Sequence, residues 1–239
     1  MKVTIVCEFN PSMVSEQGIK AYPEGMGECL RDLLVEGGHD TTYVKADENG
    51  AKGLTDEILQ ETDVLIWWGH WYHGAVEDEL VEKIANRVYR GMGLICLHSA
   101  HVSKIFTRIT GTTGSLKWRE VGEQERLWCI MPSHPINNGL GEYVDIMQEE
   151  MYGEPFDIPT PDELIYVGWF KGGEVFRGGC VFNRGRGKVF YFNPGHETYP
   201  TYKNPQVRKI LLNATEYVKC SSGIAQKIEC KHVPEFSVK

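Results

Sequence analysis

The histidines of this chain are spaced as if for chemistry. His-x-x-His occurs twice, as His70/His73 and His98/His101, and a further histidine, His196, is followed directly by Glu197. An imidazole changes charge near working pH, and its neutral form ligates borderline metal ions, so grouped histidines point to acid–base transfer or to a metal site. Positions three apart share a side of a helix but imply no proximity in a loop, so the spacing alone is a weak signal. Carboxylates that can partner the rings lie in Gln148-Glu149-Glu150-Met151-Tyr152-Gly153-Glu154, a run too charged for a core and closed by Pro155. Beside imidazoles they would complete a metal site or supply a general acid and base. The plain alternatives are a solvated loop for this run and backbone hydrogen bonds at strand ends for the histidines. Trp67, Trp68, Trp71 and Tyr72 cluster just before His73. Their flat faces suit sugar rings, although core packing explains Trp67 or Trp68 equally well.

The elements that must position these residues can be read from hydrophobic periodicity. Asp63 to Trp68 reads as a strand ending in Gly69-His70, and Gly93 to Leu97 as a second, ending in His98. Between them Leu80, Val81, Ile84, Ala85 and Val88 form the stripe of a helix lying on a sheet. Right-handed crossover makes the two strands parallel neighbours or nearly so, which brings His70 and His98 to one rim. Open α/β sheets carry their chemistry at such carboxyl ends. In all, His70, His73, His98, His101, His134 and His196 fall at predicted strand ends or the turn beyond.

The rest of the chain extends this pattern. Val3 to Phe9 predicts a central buried strand, residues 10–21 a polar loop, residues 26–36 a helix, residues 40–44 a strand and residues 56–60 a helical turn or two. Residues 100–109 read as a helix. Strands are expected over 126–131, 143–147, 163–170, 175–183 and 188–193, with Gly172-Gly173 and Gly185-Arg186-Gly187 suited to hairpins. A closing amphipathic helix follows Pro205. The expected architecture is α/β: a mainly parallel sheet with an antiparallel extension in the second half, as one domain over residues 1–220. Residues 221–239 read as a tail that packs on a neighbour or is simply a loose end.

Composition narrows the function. With 239 residues, 41% hydrophobic and 24% charged, the chain is an ordinary globular protein. A net charge of -8 with scattered Lys and Arg argues against nucleic acid as a partner. No apolar stretch reaches membrane-spanning length, and Met1-Lys2-Val3-Thr4-Ile5-Val6-Cys7 lacks a signal-peptide pattern, so a cytoplasmic protein without a membrane partner is expected. Seven dispersed cysteines fit reduced thiols better than a disulfide framework. A homo-oligomer is compatible with the acidic surface and the tail.

The turn after Leu97 has the form of a strand-to-helix elbow that presents a reactive side chain. It offers His98 and Ser99, whereas Cys96 lies two residues early, inside the strand. Ser99 with His196 and Glu197 or Glu150 would make a triad-like set, but no G-x-S-x-G surrounds it. A serine hydrolase therefore stands as one alternative.

Several blocks together resemble the ThuA-like, or trehalose-utilisation, family: Trp67-Trp68-Gly69-His70 with His73, Leu97-His98-Ser99-Ala100-His101, Leu116-Lys117-Trp118-Arg119-Glu120, His134-Pro135-Ile136, Glu150-Met151-Tyr152-Gly153-Glu154-Pro155-Phe156, Gly173-Glu174-Val175-Phe176-Arg177 and Pro194-Gly195-His196-Glu197-Thr198-Tyr199-Pro200. The resemblance implies a flavodoxin-like, class I glutamine amidotransferase-like fold with helices on both faces of the sheet. It also implies a role in disaccharide catabolism, at the level of a small-molecule sugar or 3-keto-sugar. Amidotransferases of this fold carry Cys at the elbow and His-x-Glu after a late strand; here His98-Ser99 and His196-Glu197 stand there, so glutamine hydrolysis is not expected. The family pattern places histidines after the first strand and after a Tyr-Pro-x-Gly turn, where this chain has Phe9-Asn10 and Met26. The expected catalytic residues are His98, His196, Glu197 and Ser99, with Trp71, Tyr72, His73, His101, Glu150, Tyr152 and Glu154 binding substrate. His70, His98 and His196 are the expected ligands of a divalent metal such as zinc, and no nucleotide cofactor is expected. A non-catalytic sugar-binding or regulatory protein of the same fold is the other alternative, suggested by the missing N-terminal histidines.

Overall fold

Apolar runs of five to seven residues alternate with amphipathic helices through the first hundred positions, and they fold as that alternation requires. The computed structural model describes residues 1–225 and 232. Among these, nine strands form one sheet: β1 (Lys2–Glu8), β2 (Asp40–Ala46), β3 (Val64–Trp68), β4 (Gly93–Leu97), β5 (Lys117–Cys129), β6 (Tyr143–Gly153), β7 (Glu163–Phe170), β8 (Val175–Arg184) and β9 (Gly187–Phe192). The order is β2-β1-β3-β4-β9-β8-β7-β5-β6. The first five in that order are parallel, and the rest join antiparallel. This is the expected α/β, flavodoxin-like sheet with an antiparallel extension.

Helices cover both faces because alternate strand residues point to opposite sides. Val64, Ile66 and Trp68 of β3 pack with α1 (Glu16–Ala21), α2 (Met26–Glu36) and α6 (Pro205–Val218). Leu65 and Trp67 face α3 (Asp56–Glu61), α4 (Asp78–Arg90) and α5 (Lys104–Thr110). With both faces covered, a parallel strand must be apolar throughout, which is why β3 and β4 read as unbroken hydrophobic runs. Each fully buried Leu, Ile, Val or Phe contributes about 1.5–3 kcal/mol. At Gly187 a Cβ would lie 2.2 Å from the Val88 carbonyl oxygen, so β9 begins directly against the end of α4.

Several expectations need correction. Strand β1 is buried but lies second from an edge rather than centrally. Residues 10–21 are not a loop: Asn10 accepts from the Ser12 and Met13 amides to cap a short 3-10 turn, and Ser15 caps α1 by accepting from the Gly18 amide. Residues 98–110 are a 3-10 turn (His98–Val102) followed by α5, divided where the Ser103 side chain caps the second piece. Strands β5 and β6 extend far beyond 126–131 and 143–147 because they pair with each other over most of their length. The charged run 148–154 therefore lies within and just after β6 and is not a solvated loop; Glu149 and Glu150 are buried there. Six described cysteines are unpaired; Cys230 and most of the expected tail lie outside the described residues. No described helix is long and apolar enough to cross a membrane.

Candidate metal centre and adjoining cavity

Three histidines from three strand ends meet at the rim formed by β1, β3, β4 and β9. His98 is the elbow residue itself and, among the described residues, the one non-glycine with positive φ, at 53°. That left-handed conformation costs about 1–3 kcal/mol and persists only where surroundings over-determine it. They do so here. The His98 ring lies between Trp68 and Tyr152, at interplanar angles of 9° and 14°. Its Nδ1 donates to the Asn193 carbonyl at 2.9 Å, and its own carbonyl accepts from the Tyr191 hydroxyl at 3.1 Å.

His70 and His196 approach His98 edge-on, with ring centroids 5.2–5.6 Å apart and interplanar angles of 78–89° among the three. His70 Nδ1 donates to Glu197, 2.9 Å from Oε2. His196 Nδ1 lies 2.8 Å from the Thr198 hydroxyl and 3.2 Å from its amide. Nδ1 of His70 and of His98 is thus engaged outside the cluster as a donor and Nδ1 of His196 as an acceptor, and Glu150 is the fourth member of the group. One ligand atom from each of His70, His98, His196 and Glu150 lies within 4.8 Å of all the others. Glu150 Oε2 is 3.0 Å from His98 Nε2, yet it is buried and accepts no aligned hydrogen bond.

Four buried carboxylates frame the cluster; sequence reasoning missed Glu8 and included Glu149 only as part of its acidic run. Glu8, at the end of β1, accepts from the amides of His70, Trp71 and Tyr72 and so fixes the loop that carries His70. Glu149 accepts from the amides of Gly195, His196 and Glu150 and from the Thr201 hydroxyl, fixing the loop that carries His196. Asn10 donates to Glu8 and Glu197, and Ser12 donates to Glu197. A buried acid closing an apolar strand was the available signal for Glu8; for Glu149 there was none apart from its run. Glu8, Glu149, Glu150 and Glu197 are each at most 4% exposed. No lysine or arginine among the described residues bonds any of them. Beyond the His98 imidazolium that faces Glu150, a bound cation would offset more of this buried charge.

Charge states follow the same geometry. Burial disfavours the His98 cation, but Glu150 and Glu149 outweigh it and raise His98 to about 9. Burial, then repulsion from His98, push His196 down. Burial opposes ionisation of Glu150, and His98 overcomes this to hold its carboxyl below the usual range. Glu197 is likewise held low against its burial, chiefly by His70. Glu125, fully buried beside Glu149, is pushed up to about 8.

Glu125 gives a pH prediction. Its folded value lies above the unfolded one, so its contribution to stability is complete below about pH 4.5 and is lost as pH rises through 8. Glu125→Gln should therefore match the wild type near pH 4 and exceed it by a few kcal/mol, to order of magnitude, at pH 8.5. Urea unfolding at the two pH values measures this; a constant difference between the proteins would refute it.

The other expected site residues divide. His70, His73, Ser99, His101, Glu150 and Tyr152 line a cavity of about 370 Å³, together with Val102, Ser115, Leu116 and Trp118. His101 Nδ1 donates to the Gly114 carbonyl at 2.6 Å, and burial lowers the ring to about 3; burial lowers His73 to about 4. The Ser99 hydroxyl pairs with the Tyr152 hydroxyl at 2.8 Å, so the triad-like hydrogen bond to an imidazole is not formed. Trp71 is exposed and Tyr72 half-buried, and neither is among the residues lining this cavity. Glu154 is held away by a two-pronged pair with Arg177, at 2.8 and 2.9 Å. His134 is remote and pairs with Glu163 at 2.6 Å. Cys96 is buried in β4, where desolvation raises its thiol far above the usual range.

Comparison with known proteins agrees with this architecture. A family model described as ThuA, trehalose utilisation, matches residues 13–218. A protein described as ThuA-like from Parabacteroides merdae ATCC 43184 superposes with TM-score 0.68 at 15% identity, covering 95% of this chain and 92% of that one. Another from Bacteroides uniformis ATCC 8492 does so with TM-score 0.66 at 16% identity, covering 94% of each. A glutamine amidotransferase from Thermotoga maritima shares the fold with TM-score 0.55 at 12% identity, covering 91% of this chain and 97% of that one. No curated protein matches in sequence.

Proposed function

Since this chain belongs to the ThuA, trehalose-utilisation, family, we propose that it transforms a sugar or 3-keto-sugar at a divalent-metal centre held by His70, His98, His196 and Glu150. The observation that carries this reading is the convergence of four ligand atoms, from three imidazoles and one buried carboxylate, within 4.8 Å of one another. Three imidazoles and one carboxylate suit zinc or another transition ion better than magnesium or calcium, which prefer all-oxygen sites. When bound, such an ion polarises a carbonyl or hydroxyl oxygen of the sugar.

The chain's own residues supply the rest. Glu197 and the Asn193 carbonyl hold Nδ1–H of His70 and His98, so Nε2 is the ring atom each would offer a metal, with His98 giving up its Nε2 proton. His196 Nδ1 accepts from the Thr198 amide, so a metal at its Nε2 would displace the proton held there. The Tyr152 hydroxyl, 3.3 Å from His98 Nε2 and bonded to Ser99, lines the cavity together with His70 and Glu150 and would orient what enters it.

Protein incubated with zinc, manganese or magnesium and then desalted should retain about one transition ion per chain and no magnesium, read by elemental analysis. The metal-loaded protein should convert trehalose or its 3-keto derivative, and chelation should stop turnover. Retention of none of these ions would overturn the metal reading. Sugar binding without conversion would favour the non-catalytic alternative.

A further inference from the structure

The cavity beside the metal ligands has an aromatic wall to which neither the metal centre nor the fold gives a role. Trp118 of β5 stands directly opposite Tyr152 of β6 in the antiparallel register, so both side chains project to the same side of the sheet. Tyr152 is buried at the cavity floor. Trp118 lines the same cavity yet is 67% exposed, and among the described residues no ring stacks on it and no cation lies over it. An indole left open at the mouth of this cavity has an apolar face to offer a ligand.

Two hydrogen-bonding atoms complete the wall. His101 donates from Nδ1 to the Gly114 carbonyl, so its Nε2 carries a lone pair. His73 Nε2 is buried with no hydrogen-bond partner, and buried polar atoms rarely stay so.

Resting on the sugar reading above, we propose that Trp118 is the platform for one apolar face of a pyranose ring, whose edge hydroxyls bond to His73 and His101.

Calorimetric titration of zinc-loaded wild type, Trp118→Ala and Trp118→Phe with trehalose tests this. Trp118→Ala should weaken trehalose binding about tenfold, and Trp118→Phe only about threefold or less. All three proteins should hold the same amount of zinc, which shows that the variants are folded. Equal trehalose affinity in wild type and Trp118→Ala overturns this proposal alone. Absence of sugar binding to the wild type overturns it together with the sugar reading, while zinc retention reports on the metal centre separately.

Discussion

His196→Ala is expected to lower zinc affinity by at least about 100-fold while the fold survives. A closed four-ligand zinc site is worth about 10–16 kcal/mol, or about 3 kcal/mol for each ligand, which corresponds to two or more powers of ten. His196 suits this test better than His98. The His98 ring is sandwiched by Trp68 and Tyr152 and its backbone is held at positive φ, so its loss would disturb packing as well as binding. His196 sits on the loop after β9, and its amide bond to Glu149 survives truncation of the ring. Competition with a chromophoric chelator, alongside a melting curve, separates the two effects. An affinity within threefold of wild type in a folded protein would remove His196 from the ligand set.

Glu149→Ala is expected to lower Tm by about 10 °C and to weaken zinc binding about 10–100-fold, although Glu149 is not itself a proposed ligand. Its carboxylate is fully buried and accepts from three backbone amides and one hydroxyl. Alanine would leave four donors without a partner, at about 1–3 kcal/mol each before water enters the space. In a protein of this size each kcal/mol shifts Tm by about 2–4 °C. The loop bearing His196 would lose its anchor, and the ligand geometry would loosen with it. Glu149→Gln, which keeps one acceptor oxygen, should fall between the two. A melting curve and a zinc titration read both effects. A Tm within about 2 °C of wild type would show that the donors find other partners.

Much of the fold follows from local pattern. The β3–α4–β4 unit is legible because its helix has period 3.6 and its strands are unbroken apolar runs, and handedness then makes the strands parallel. His70 and His98 reach one rim for the same reason. The capped turns at Asn10 and Ser15 were missed because they are held by side-chain hydrogen bonds rather than by apolar periodicity.

By itself, the sequence determined the strand ends and which histidines occupy them, since alternation and crossover handedness depend on near neighbours. Only the tertiary structure decided how the acids are used. Glu149 and Glu150 look like surface residues because a run of charges is normally solvated. They are buried because β5 pairs with β6 along the far side of the sheet and because donors from residues 195, 196 and 201 arrive to satisfy Glu149. Those partners lie 46–52 positions away in the chain, a separation at which periodicity carries no information. The same closure leaves Trp71 outside the cavity wall and places Trp118 within it. A buried charge is affordable only where the whole fold delivers its partners, and that is a property of the assembled sheet.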